Sequence, residues 1–184
     1  MASPVGSSTD SSLRGRESIA ALTGRWALDP VRSTVRLRAR SVWGLVGVRG
    51  EFKQVSGAGV VSATGEVSGS FTVVAASIDT KNHKRDSHLR SADFLDSDTF
   101  PHILFSVERL SWSSDGAALE GTLRARDKTR ALKLPVVVRA LGNDAVQLDA
   151  AAVIDRADFG MTRNPLGMAS RKNAIAAQAV FTRL

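Results

Sequence analysis

The chain has 184 residues, no cysteine, three histidines and a formal net charge of +7. That length supports one domain with a real core, and the lack of cysteine excludes disulfides and thiolate metal sites. No run approaches the roughly 20 apolar residues that a membrane-spanning helix needs. The positive excess favours anionic partners such as phosphorylated lipids, or transient contact with an anionic membrane surface. A solvated, arginine-rich surface is the plain alternative.

Residues 1–22 are polar and serine-rich and read as a flexible tail. They lack an apolar h-region, so no signal peptide is expected and the cytoplasm is the expected location. The domain is expected over 23–184. Trp26 to Pro30 reads as a short extended opening. From Ser33 to Arg40, Val35, Leu37 and Ala39 alternate with arginines, which predicts a half-buried strand. Trp43-Gly44-Leu45 reads as a turn, and 46–54 as the second strand. Residues 57–65 read as a loop or weak strand. The alternation through Phe71 and Val73 predicts a long strand over 66–78.

A polar stretch, Ser77 to Pro101, separates this half from the next. Lys81-Asn82 is turn chemistry. Ser87 is placed to cap a short helix through Leu89, Arg90 and Ala92, and Pro101 makes Phe100 extended before the next strand. Further strands follow over 102–113, 117–126, 130–140, 145–156 and 172–183. Ser114-Asp115-Gly116 is a hairpin turn and Met161 to Ser170 an irregular loop. Pro135 cannot donate to a ladder and marks an edge or bulge. Eight strands with mostly short connections predict an all-β fold, an eight-stranded antiparallel barrel with a short helix in the long loop between strands 3 and 4, although a sandwich would show the same alternation.

The central order S-I-D-T, R-D-S-H-L-R-S-A-D-F-L-D and F-P-H-I-L-F resembles the signature of the YceI-like family, bacterial polyisoprenoid-binding proteins with a lipocalin-like barrel. W-A-L-D-P-V-R-S-T-V-R-L, the glycine before Phe52, G-T-L-R-A-R-D-K-T-R-A-L-K-L-P-V and Arg156-Ala157-Asp158-Phe159-Gly160 extend the likeness over residues 25–184. The chain departs from the family where many members have histidine: Arg32 precedes Ser33, and Ala39-Arg40 replaces an Arg-His pair. The resemblance implies a homodimer and a bound polyisoprenoid, an isoprenyl phosphate or isoprenoid quinone, with no other cofactor.

The residues themselves offer an apolar inner face: Val35, Leu37, Phe52, Phe71, Val73, Phe105, Val107, Leu123, Leu134, Val136, Leu148 and Ile154, with Phe181. Each reads singly as core and together as a lining for a long apolar ligand. Ala39, Gly69, Ala75, Gly121, Ala125, Ala150, Ala152, Ala177 and Ala179 on the same faces leave room for a cavity. Arg85, Asp86, His88 and Arg90 read either as an ion-paired clasp holding the helix, with Arg85-Asp86 and Arg90-Asp93 paired, or as contacts to a ligand head group. His88 is expected beneath the helix and His83 in solvent.

Catalysis is harder to build. His83, Asp86 and His88 are the one constellation for a metal-dependent or lipid-phosphate-acting enzyme, but five-residue spacing is not a helical metal pair. No nucleophile elbow surrounds Ser87, so no catalytic or metal-binding residue is expected. The arginine row Arg36, Arg38, Arg40 lacks the aromatic platforms that single-strand binders use, so nucleic acid is not expected as a partner. The readings left open are a non-enzymatic lipid carrier or store, an enzyme using that loop, and a filled barrel acting in stress-related interactions.

Overall fold

The computed structural model describes residues 19, 21–41, 45–113, 116–163 and 170–184. Its strands are β1 (Gly24–Leu28), β2 (Thr34–Ser41), β3 (Val46–Phe52), β4 (Val55–Val61), β5 (Val67–Val74), β6 (Ile78–Asp79), β7 (His102–Ser113), β8 (Gly116–Ala125), β9 (Lys128–Ala140), β10 (Ala145–Asp155) and β11 (Lys172–Arg183), and the helix α1 (His83–Arg90) lies between β6 and β7. The hydrogen-bonded order β1-β4-β5-β7-β8-β9-β10-β11 returns to β1 and closes a barrel of eight strands. The remaining segments are continuations: β2, β3 and β6 prolong β1, β4 and β5 past a kink. They pair in the same order, Val35 opposite Phe52 and Phe52 opposite Ile78. All pairings are antiparallel, as hairpin connections dictate.

Two expectations shift here. The wall begins at Gly24 rather than residue 33, and the stretch read as a loop or weak strand belongs to β4. Gly57, Ala58 and Gly59 hide that strand, because glycine and alanine have low β-propensity. Gly57 is there for close approach: a Cβ on it would lie 2.7 Å from the Ser70 carbonyl oxygen. On the tail side of residue 22, Ile19 and Leu22 are both buried in the core. Residues 1–18, the turn residues Trp43 and Gly44, Ser114-Asp115 and 164–169 lie outside the described residues.

The interior holds two apolar clusters. One gathers Ile19, Trp26, Phe105 and Val138, the other Leu28, Val35, Phe52 and Ile78. Ile78 is completely buried, and burying such a side chain stabilises by about 1.5–3 kcal/mol. The barrel's first end is plugged by Trp26, whose indole N–H donates to the Leu22 carbonyl at 2.8 Å. The second end carries α1 and the turns that follow it.

The wall is not fully laced. The β9–β10 ladder runs only between Val136–Ala140 and Val146–Ala150. Toward the second end, β9 bonds β8 alone and β10 bonds β11 alone. Pro135, the next residue along β9, has no N–H to give, so the edge it was expected to mark is real.

The helix starts earlier than the sequence suggested. Its N-cap is Asn82, whose side chain accepts from the Arg85 amide at 3.0 Å, not Ser87. The left-handed residue is Lys81, with φ of 60°, rather than Asn82. Asp79 supports that turn by accepting from the Lys81 amide at 2.8 Å.

Candidate functional site

Alternation in the strands points one row of side chains inward along each wall, and these enclose a cavity of about 320 Å³. Val35, Leu37, Phe52, Phe71, Val73, Phe105, Val107, Leu123, Leu134, Leu148 and Ile154 all line it, as does Phe181. Val136 is buried in the first core cluster instead. Several liners, among them Phe71, Leu123 and Leu148, are only half-buried although they point inward. An inward side chain keeps accessible surface only if it faces space.

Small residues contribute unequally. Gly69, Ala125, Ala150, Ala152, Ala177 and Ala179 line the cavity, whereas Ala39, Ala75 and Gly121 do not. Gly121 answers a different need. It sits opposite Val107 where the β7–β8 register shifts, and a Cβ there would lie 1.9 Å from the Ser106 carbonyl oxygen. It admits the bulge rather than making room for a ligand.

At the second end, Leu89, Phe94, Leu95, Phe159 and Met161 close over the cavity. Arg156 joins them and is the only charged side chain among the described residues lining it. It is 4% exposed. Its guanidinium donates to main-chain carbonyls: Ser170 at 3.1 Å, Arg163 at 3.1 Å, and Met161. It lies 5.3 Å from the Phe94 ring centroid. The adjacent carboxylate of Asp155 is turned to Arg171 at 2.9 Å. Burial pushes the Arg156 pKa down, and Asp155 opposes that only through space. A guanidinium held by neutral carbonyls keeps its positive charge, because arginine does not deprotonate in proteins. The cavity therefore has one positive pole in an otherwise apolar surface.

The expected clasp exists, with different partners. Neither Arg85-Asp86 nor Arg90-Asp93 forms an ion pair. Thr80 takes the middle place: its amide and hydroxyl donate to Asp86 Oδ1 at 2.9 and 2.5 Å, and its hydroxyl oxygen and carbonyl accept from Arg85 at 2.7 and 2.8 Å. Arg90 donates to the Ile78 carbonyl at 2.8 Å, and Asp93 pairs with Arg163 at 3.1 Å. Positions 82, 86 and 90 share one helix face, and that face, capped at Asn82, meets β6. His88 is thereby turned outward. It is exposed, with its ring edge-on to Phe94 at 4.9 Å between centroids, rather than beneath the helix.

His83 is also exposed, while Asp86 is 5% exposed with its Oδ1 taken by Thr80. The three do not converge on a common point in solvent. Among the described residues, no three histidine, aspartate or glutamate side chains come together to hold a metal ion.

Sequence reasoning missed Trp26, Leu132, Asn173 and Ile175 as liners, and it noted Arg156 only as part of a motif. Asn173 and Ile175 continue along β11 the inward row of Ala177, Ala179 and Phe181, which was read only from Ala177 onward. Arg156 carried no clear local signal: Phe159 and Met161 lie close in the chain, but its burial is completed by Phe94, brought from the turn after α1.

Comparison with known proteins places this geometry. A UPF0312 protein of Serratia proteamaculans is 32% identical over 105 residues, 54% of each chain. The chain thus spans about half the length of the curated relatives it matches. The crystal structure of Burkholderia cenocepacia BcnA superposes with a TM-score of 0.75 at 21% identity, covering 83% of this chain and 98% of that one. A polyisoprenoid binding domain from Saccharophagus degradans, implicated in plant cell wall breakdown, gives 0.71 at 15% identity, covering 86% and 98%. At these identities the likeness to the solved structures is one of fold. The model of the YceI-like domain matches residues 26–181, most of the chain and nearly all of the closed barrel, and the protein belongs to the YceI-like family.

Proposed function

We propose that this protein binds, and thereby stores or transports, a long-chain polyisoprenoid lipid in its barrel without chemistry of its own. The observation that carries the reading is the cavity of about 320 Å³ with an almost wholly apolar wall. Each methylene taken from water into such a wall contributes about 0.8 kcal/mol. A long hydrocarbon chain therefore binds with few polar contacts. The polyisoprenoid-binding description of the Saccharophagus domain, which shares the fold, supports the ligand class. Arg156 supports an isoprenyl phosphate over an isoprenoid quinone, because a buried guanidinium with no carboxylate partner among the described residues gains most from an anionic head group.

The test is organic extraction of the purified protein followed by mass spectrometry. A polyisoprenoid recovered near one mole per mole of protein is the expected result. An extract free of isoprenoid, from protein that also fails to take up added farnesyl phosphate or farnesol, would overturn the proposal.

A further inference from the structure

Outside the cavity, the outer face of β10, β11, β2 and β3 toward the second end has a composition that the barrel does not need. In the ladder, Val153 lies opposite Ala174, Ala174 opposite Arg38, and Arg38 opposite Arg49. One row behind, Ala151, Ala176, Arg36 and Glu51 follow each other across the same four strands. Apart from Glu51, which is half-buried, every one of these is exposed, Val153 at 65%. The face is thus an apolar strip of valine and alanines bordered by arginines.

The arginines are placed against stability. Arg36 has Glu51 at 3.6 Å, but Arg38, Arg40 and Arg49 have no carboxylate within ion-pair reach among the described residues. Arg38 and Arg49 stand directly opposite each other, and like charges directly opposite on a sheet are destabilising. Arg40, two residues from Arg38 on the same face, adds a third positive charge. A cluster of uncompensated cations beside exposed apolar side chains matches an anionic lipid surface, where phosphates meet the cations and the interface takes the apolar strip. A second copy of this chain is disfavoured by the same charges. A nucleic acid would need aromatic platforms for its bases, and these eight residues include none.

We propose that this face docks the protein on an anionic bilayer. The surface borders the open edge of β10, residues Ala151–Asp155, where the wall bonds only β11. The proposal is independent of what the cavity holds.

The test is co-sedimentation with vesicles of phosphatidylcholine alone and of phosphatidylcholine mixed with phosphatidylglycerol, at low and high salt. The wild-type chain is expected to bind only the anionic vesicles, and less at high salt. Each arginine removed from the face is expected to weaken that binding about fivefold, so Arg38→Gln/Arg49→Gln should lose about 25-fold. The same change in net charge made as Arg25→Gln/Arg124→Gln, at the other end of β1 and on the opposite wall, should leave most of the binding. Val153→Asp supplies a second variant on the apolar strip and should also weaken it. Equal binding to both vesicle types, no vesicle binding, or equal losses from the two arginine pairs would overturn the proposal. Binding of a single-stranded oligonucleotide without vesicle binding would overturn it in favour of nucleic acid.

Discussion

The hydroxyl of Ser33 fills a gap in the ladder between β11 and the β1–β2 wall. It accepts from the Val180 amide at 3.0 Å and donates to the Asp29 carbonyl at 2.6 Å, in the kink between β1 and β2. Both residues are buried. The kink removes the ladder partner that the Val180 amide would otherwise have, and the side chain replaces it. Leaving a buried donor unsatisfied costs about 1–3 kcal/mol. Ser33→Ala is expected to lose stability in that range in urea unfolding. A loss within error would show that water or a shift of β2 fills the gap.

Ala177 lines the cavity in the middle of β11. Ala177→Phe places a ring in that space without touching the outer wall. The expected protein is folded and no less stable, since filling a void restores lost contacts. It should yield little lipid on extraction compared with wild type. Undiminished lipid recovery from a folded variant would place the ligand elsewhere.

Arg156→Gln removes the cavity's positive pole and retains part of its hydrogen-bonding capacity. Binding of farnesyl phosphate is expected to weaken about tenfold or more, the value of a charge-assisted hydrogen bond. Farnesol binding should change little. Comparing the two ligands by isothermal titration separates head-group recognition from a general loosening of the main chain at Met161, Arg163 and Ser170, which would weaken both alike.

Glu120 links three strands. Ser111 donates to it at 2.7 Å, Lys133 lies at 3.0 Å, and Arg109 Nε at 2.6 Å. Ser111 first, then the two cations, hold its pKa down to about 2 from an ordinary 4.5. A carboxylate depressed on folding adds stability that is fully present above its unfolded pKa and lost as pH falls through its folded one. The wild-type chain should therefore lose this contribution between about pH 4.5 and pH 2. Glu120→Gln should be less stable than wild type at neutral pH and indistinguishable from it below about pH 2. Urea midpoints across that range check it. Parallel pH profiles for the two proteins would show that the network contributes nothing.

The legible parts of this fold were those written in periodicity. Leu37 between Arg36 and Arg38, or Leu134 between Lys133 and Pro135, declares its face locally, and the inward row followed from it. β4 was illegible because Gly57 serves the neighbouring backbone and, with Gly59, leaves no apolar alternation to read. The helix cap was misplaced because Asn82 and Ser87 are both capable residues, and only packing against β6 decides between them. Arg156 sits in a segment that looks solvated, and its burial is completed by Phe94 from the turn after α1, far away in the sequence. The arginine row was visible as a row. That Arg38 would face Arg49 rather than a carboxylate required the register.

Closing the barrel joins residues that are far apart in sequence: Ser33 and Val180, bonded across the kink, are 147 residues apart. A ribosome adds roughly 5–20 residues per second, so β1 and β2 emerge about 7–30 s before β11 exists to receive them. Throughout that interval Trp26, Val35 and Leu37 have no wall behind them, and the edge that β11 will occupy stands open. Sheets closed by such distant pairing form slowly and are exposed to aggregation meanwhile. The nascent chain is therefore expected to depend on chaperones that hold apolar segments during synthesis, more than the compactness of the finished barrel suggests.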